Sequence, residues 1–343
     1  MVNASGLRIA TYAIRAEEAV ASAVLVHGYR TCARYEFLAA TEEGGAHVRW
    51  EGSLLEQLVS HGVTCWLLDL ESHGASESGE PSVDGPCFSS LDDLARDVLQ
   101  LASAVAKKEC PELPLFLVGT SLGGAAACRA AQTDGARGVV SGVCALAPML
   151  YLKDYRYSLT RHVSLLGLSA LKLLAPTMAA LETAPNAFAS HVAESETEPT
   201  FYHGKMRVKP LYAAAEAMHA FMEPGGMERF SCDSLLVLHS RVDSMCCVEG
   251  SEALYERSNV KRKALVLIKG KDGDAPGEIR ETDGDSAHQI FGTPPRLGAD
   301  AVIDLPLFHN LCREPGSDPV CAAIAAWILK EVDPVLAAIM DCD

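Results

Sequence analysis

A chain of 343 residues, 49% hydrophobic and 22% charged, has the make-up of ordinary globular protein and the length for one large domain or a domain carrying a sizeable insertion. Its 29 Lys and Arg stand against 45 Asp and Glu, a formal charge of −16 whose field repels phosphate backbones and argues against nucleic acid as a partner. The first residues lack a basic stretch followed by an apolar run, no segment reaches the roughly 18 consecutive apolar residues of a membrane span, and the closing "MDCD" is not a prenylation box. A cytoplasmic protein is expected. The 12 cysteines contain no C-x-x-C pair, and several, such as Cys65 in "TCWLLDL" and Cys144 in "VVSGVCALAP", sit inside apolar runs as small hydrophobes do. They read as reduced structural thiols rather than disulfides or zinc ligands, and no cofactor or metal is expected.

In chain order, short apolar runs alternate with longer amphipathic ones, the pattern of an α/β protein whose mostly parallel sheet is covered by helices on both faces. Buried strands are expected at 21–28, 63–70, 113–119, 138–148 and 234–240. Over 89–108 the residues Leu91, Leu94, Val98, Leu101 and Val105 recur at helical spacing, and Ser90 with Asp93 forms a capping-box pattern. A closing helix is expected at 317–332. From about 149 to 230 strands vanish and the chain turns helical, with 163–181 apolar on more than one side, so this stretch reads as an inserted cap. The domain plan is therefore a core of 1–148, a cap of 149–230 and a second core part of 231–343. The stretch 270–300, crowded with Gly, Pro and Asp, reads as a long surface loop. Asp272, Asp274 and Gly277 give it a faint calcium-loop look, but Pro276 occupies a ligand position and Asp283 stands where a bidentate Glu belongs.

Gly119-Thr120-Ser121-Leu122-Gly123 is a G-x-S-x-G pattern between a buried strand and an Ala-rich helix. On so sharp a turn the hydroxyl of Ser121 is thrust above the sheet edge, and side chains at either glycine would collide with the neighbouring strand and helix. The plainer alternative, a serine capping a helix, needs neither glycine. A nucleophilic serine needs a histidine base and a carboxylate to orient it, each just beyond a strand end. Asp243 follows the strand at 234–240, with Asp233 as competing acid. His309 follows an apolar run and precedes the last helix, with His288 and His239 as rivals, the latter placed in a strand like a satisfied core residue. The backbone N–H groups of Leu122 and Tyr29 are the candidate oxyanion hole, and His27 reads as a support for the loop that carries Tyr29.

Six ordered segments, "VHGYRTCARYEFLA", "LDLESHGASES", "VGTSLGG", "FYHGKMRVKPLY", "VLHSRVDSMCCVEGSEALYE" and "FHNLCREP", resemble the monoacylglycerol lipase and lysophospholipase-like group of α/β-hydrolases, a set grouped with serine aminopeptidases. The resemblance implies an α/β-hydrolase fold, with Ser121 as nucleophile, Asp243 as acid, His309 as base, the Tyr29 and Leu122 amides as oxyanion hole, and a lid-like cap over an acyl-binding tunnel. Two departures bear on loop shape near the site. Glu71-Ser72 stands where the family has Arg-Gly, and Ser240 where it has glycine. Either 263–270 or 300–307 is the strand that delivers His309.

The expected chemistry is acyl transfer to Ser121 from an ester, with a monoacylglycerol or lysophospholipid as substrate. A short-chain carboxylesterase or acyl-thioesterase comes next, an aminopeptidase third, and a non-catalytic binding protein last, since that reading calls for a decayed triad. Leu165, Leu166, Leu168, Leu171, Leu173 and Leu174 in the cap suit either a fatty acyl chain or plain packing. An apolar outer face there would allow peripheral contact with a membrane.

Overall fold

The computed structural model describes residues 1–39, 49–80, 82–151, 158–182, 189–269, 301–303, 305, 307–314 and 316–332. Along each central strand successive side chains go to opposite faces, and both faces are apolar. Strands β1 (Thr11–Ile14), β2 (Ala21–Val26), β3 (Val63–Leu68), β4 (Leu115–Thr120) and β5 (Gly142–Leu146) form the first part of the sheet. After an excursion come β8 (Ser234–Ser240), β9 (Arg262–Ile268) and β10 (Ala301–Ile303). The order is β1-β3-β2-β4-β5-β8-β9-β10, parallel throughout except for β1, which runs antiparallel along β3. This is the α/β-hydrolase fold. The half-exposed edge strand β1 escaped the sequence reading, which looked for fully apolar runs.

Val24, Val26, Leu117, Leu235 and Val237 point to one face, beneath α3 (Leu91–Ala104), α4 (Leu122–Ala131) and α7 (Val208–Met222). Ala23, Leu25, Phe116, Leu236 and Leu238 point to the other, beneath α1 (Ala33–Phe37), α2 (Leu54–Ser60) and α9 (Asp318–Val332). Truncating one such buried leucine to alanine costs about 2–5 kcal/mol. Helix α3 starts as its sequence indicates: the Ser90 hydroxyl accepts from the Asp93 N–H at 3.1 Å and donates to the Asp93 carboxylate at 2.7 Å. It ends four residues before the expected boundary and passes into a π-helical turn at Val105–Glu109.

Between β5 and β8 lie α5 (Ser158–Leu174), β6 (Ala179–Leu181), α6 (Ala189–Thr197), β7 (Met206–Arg207) and α7, so the expectation of an all-helical stretch is corrected by the antiparallel pair β6–β7. Two- and three-residue strands carry too little pattern to be read from sequence. Helix α8 (Val248–Arg257) follows β8. The expected loop at 270–300, with its calcium-like run and His288, lies outside the described residues. His309 comes after β10, which pairs parallel with β9, so the segment at 300–307 delivers it. Among the described residues no helix is long and apolar enough to cross a membrane.

Candidate active site

Ser121 stands between β4 and α4 with φ 54° and ψ −116°, a conformation that costs a non-glycine residue roughly 1–3 kcal/mol and persists only where its surroundings enforce it. They do. The Ser121 N–H donates to the Leu146 carbonyl of β5 at 2.9 Å, and the Met149 N–H donates to the Ser121 carbonyl at 3.0 Å. A Cβ on Gly119 would overlap the Gly123 carbonyl, and one on Gly123 would overlap the carbonyls of Val26 and His27, so the turn admits no side chain at either position. No side-chain capping bond is made by Ser121 to α4. Leu122 is the first residue of α4, where helix geometry leaves an N–H without an intrahelical acceptor.

Tyr29 follows β2 on a loop that abuts this turn, for a Cβ added to Gly28 would lie 3.4 Å from the Ser121 Cβ. His27 supports that loop. Its buried ring accepts the Leu70 N–H at 2.9 Å through Nε2, so Nδ1 carries the proton and donates to the Gly28 carbonyl at 2.7 Å. Burial lowers its pKa to about 4, which keeps it neutral. His73 packs edge-on against the Tyr29 ring at 5.8 Å and is likewise held neutral by burial, its pKa lowered to about 3.

The side chain of Asp243, three residues beyond β8, is fully buried and saturated with donors. Its Oδ1 accepts the N–H groups of Met245 at 2.7 Å and Cys246 at 3.0 Å, and its Oδ2 accepts from His309 Nδ1 at 2.7 Å. Burial raises the carboxyl's proton affinity, but the imidazoles of His309 and His239 and these bonds outweigh it and hold the pKa well below the usual carboxylate range. The ionised Asp243 in turn raises His309 above the ordinary histidine value, against the lowering effect of burial. Because Nδ1–H donates to Asp243, the neutral imidazole has its lone pair on Nε2. The competing Asp233 precedes β8, at the strand ends opposite to those that carry Ser121 and Asp243, where its N–H donates to the carbonyl of Ser141 just before β5.

Two contacts of Asp243 escaped the sequence reading, those of His239 and of Cys246, although His239 is the satisfied core residue its strand position indicates. His239 is satisfied in the core, accepting from the Ser251 hydroxyl at 2.7 Å through Nδ1 and donating to the Cys246 carbonyl at 3.2 Å through Nε2. That same Nε2 also lies 3.3 Å from Asp243 Oδ2. The i, i+4 spacing from Asp243 is its only sequence signal. Cys246 joins the parts: its N–H donates to Asp243, and burial and the Asp243 charge push its thiol pKa up while the nearby Ser121 hydroxyl opposes the rise. The family departures have local roles too. Ser72 takes a left-handed φ of 60°, which explains glycine as the usual residue there, and its hydroxyl accepts the Cys87 N–H at 2.8 Å. The Ser240 hydroxyl donates to the Leu307 carbonyl, joining β8 to the His309 loop.

The model of the serine aminopeptidase S33 hydrolases matches residues 42–272. The chain belongs to the S33 family. Rat monoglyceride lipase is 25% identical over 253 residues, covering 72% of this S33 chain and 78% of the rat protein. A candidate monoglyceride lipase of Schizosaccharomyces pombe is 23% identical over 261 residues, covering 74% of this chain, which spans 62% of the fission-yeast protein's length. The crystal structure of a soluble variant of Saccharomyces cerevisiae monoglyceride lipase with a substrate analogue superposes with a TM-score of 0.66 at 15% identity, covering 96% of this chain and 93% of that one. The S33 match covers Ser121 and Asp243 and ends before His309.

Proposed function

We propose that this chain is a serine hydrolase that cleaves the acyl ester of a single-chain lipid, a monoacylglycerol or lysophospholipid, through an acyl-enzyme on Ser121. The observation that carries the reading is the 2.7 Å bond between His309 Nδ1 and Asp243 Oδ2, made beside a serine locked at positive φ on a strand-to-helix turn. In this mechanism His309 Nε2 takes the Ser121 proton as Oγ attacks the ester carbonyl. The amides of Leu122 and Tyr29 receive the developing oxyanion, the α4 N-terminus adding its dipole. His309 then protonates the leaving alcohol, and water repeats the sequence to free the acid. Asp243 holds the tautomer and stabilises the imidazolium without itself taking the proton. The chain's similarity to monoglyceride lipases over about three quarters of its length supports a lipid ester as substrate. The segment 149–230 is the cap over the acyl chain, and its exposed leucines are the point of contact with a membrane surface.

Labelling with a fluorophosphonate probe tests this, comparing native protein with Ser121→Ala and His309→Ala. Labelling is expected to vanish in the first and fall sharply in the second, and p-nitrophenyl esters of rising chain length then report the acyl preference. A long-chain optimum supports the lipase and a short-chain optimum the carboxylesterase or thioesterase alternative, whereas folded native protein that neither labels nor turns over ester rejects hydrolysis and favours a binding protein on this fold.

A further inference from the structure

The segment from β10 to α9 has no regular structure around His309, yet it presents an imidazole to Asp243 at hydrogen-bond distance. Irregular backbone in a protein interior leaves N–H and C=O groups that need partners. Here they find two buried side chains. Ser240 donates to the Leu307 carbonyl. The carboxylate of Glu314 accepts three successive amides: His309 and Asn310 on Oε1, each at 2.9 Å, and Phe308 on Oε2. Glu314 is only 2% exposed. Burying a carboxylate costs several kcal/mol unless its oxygens are bonded, and this one spends its acceptors on the three residues centred on His309. Burial raises the Glu314 pKa while those amides and the His309 imidazole oppose the rise.

We infer that Glu314 is a positioning residue for the reaction proposed above, its carboxylate fixing the backbone at 308–310 so that the His309 ring keeps its seat on Asp243. The inference rests on His309 being the base. It also has an electrostatic side. The carboxylates that act on the imidazole are Asp243 from the β8–α8 connection, which bonds it, and through charge alone Glu36 from α1 and Glu314 from its own loop, with Arg313 acting on Glu36. All three carboxylates favour the imidazolium, so removing one lowers the proton affinity of His309.

The test measures ester hydrolysis against pH for native protein, Glu314→Gln and Glu314→Asp, with circular dichroism and a thermal melt to establish folding. Glu314→Gln keeps the size but loses the charge and puts an N–H₂ against backbone donors. Its kcat is expected to fall about 10- to 100-fold with KM within about twofold, the loss expected when a reacting group is slightly misplaced. Its acid limb is expected to move down by about half a unit or more. Glu314→Asp keeps the charge but is too short for all three amides, so its kcat falls while its limb stays near the native one. Native kcat in Glu314→Gln, or a lowered kcat with an unmoved limb, overturns the inference. If Glu314→Gln does not fold, Glu314→Asp decides, and native kcat there overturns it equally. Failure of the hydrolase reading is seen separately, as native protein that turns over no ester before any Glu314 variant is measured.

Discussion

Asp243 shows how one side chain can set the chemistry of several others. Its Oδ1 serves the Met245 and Cys246 amides and its Oδ2 serves two imidazoles. In Asp243→Asn the carbonyl oxygen can keep the two amides while the N–H₂ faces His309, which then must present Nδ1 as acceptor and Nε2 as donor. That is the wrong tautomer for a base. The variant is expected to fold as native and to lose about 10³–10⁴-fold in kcat, measured with a soluble nitrophenyl ester. Because His309 is raised above the ordinary histidine value, the neutral base is lost, and native activity falls, as pH drops through that raised pKa. The stability it contributes has the opposite sign: it is full below the unfolded histidine pKa and is lost as pH rises through the folded one. Asp243, depressed, contributes stability that is present above its unfolded pKa and is lost as pH falls toward the folded one. An acid limb at or below the ordinary histidine value would contradict this account. The meeting of Asp243 and His309 was legible in sequence because each follows an apolar run that reads as a strand. His239 was not, since its own strand reads as core and its contact with Asp243 depends on how the chain turns after Ser240.

Elements here are constrained where backbones meet and free where they face solvent, and glycine separates the two cases. Gly123 lets α4 press onto the end of β2, with backbone carbonyls of Val26 and His27 where a Cβ would go. Backbone atoms of a central strand cannot step aside, so Gly123→Ala is expected to cost at least about 3 kcal/mol in urea unfolding or to prevent folding. Gly167, inside α5, has nothing within 4 Å of its would-be Cβ. Gly167→Ala is expected to add about 0.5–1 kcal/mol to the stability of that helix, and unchanged or lowered stability would show that α5 needs the freedom of glycine there. The need for the two glycines flanking Ser121 was readable from their spacing, whereas β6 and β7 are too short to carry a pattern.

At the scale of the molecule, the segment between β5 and β8 is tied to the core near the candidate site. Arg30, beside Tyr29, donates through Nε to the Tyr202 carbonyl at 2.7 Å and accepts the Tyr202 N–H on its own carbonyl at 2.9 Å. Arg313 of the His309 loop donates to Glu194 of α6 at 2.7 Å. On α5, Leu166, Leu173 and Leu174 are 75%, 83% and 84% exposed, while Leu165, Leu168 and Leu171 are half-buried, so the leucine cluster divides into an inner and an outer set. In the proposed function the exposed leucines are the contact with a membrane surface. Native protein is expected to float with phosphatidylcholine vesicles and a Leu166→Gln, Leu173→Gln, Leu174→Gln variant to stay in the aqueous fraction; equal behaviour of the two would remove the membrane from the proposal. The sequence alone determined the parallel sheet, the sharp turn at Ser121 and the placing of Asp243 and His309 beyond apolar runs, because strand burial, steric limits on glycine and local turn chemistry are written in neighbouring residues. Only the tertiary structure decided that 300–307 delivers His309, that Cys246 and His239 converge on Asp243, and that Glu314 lies under the His309 loop. Those contacts join elements distant in the chain, and buried hydrogen bonds depend on which backbone groups each loop leaves without a partner.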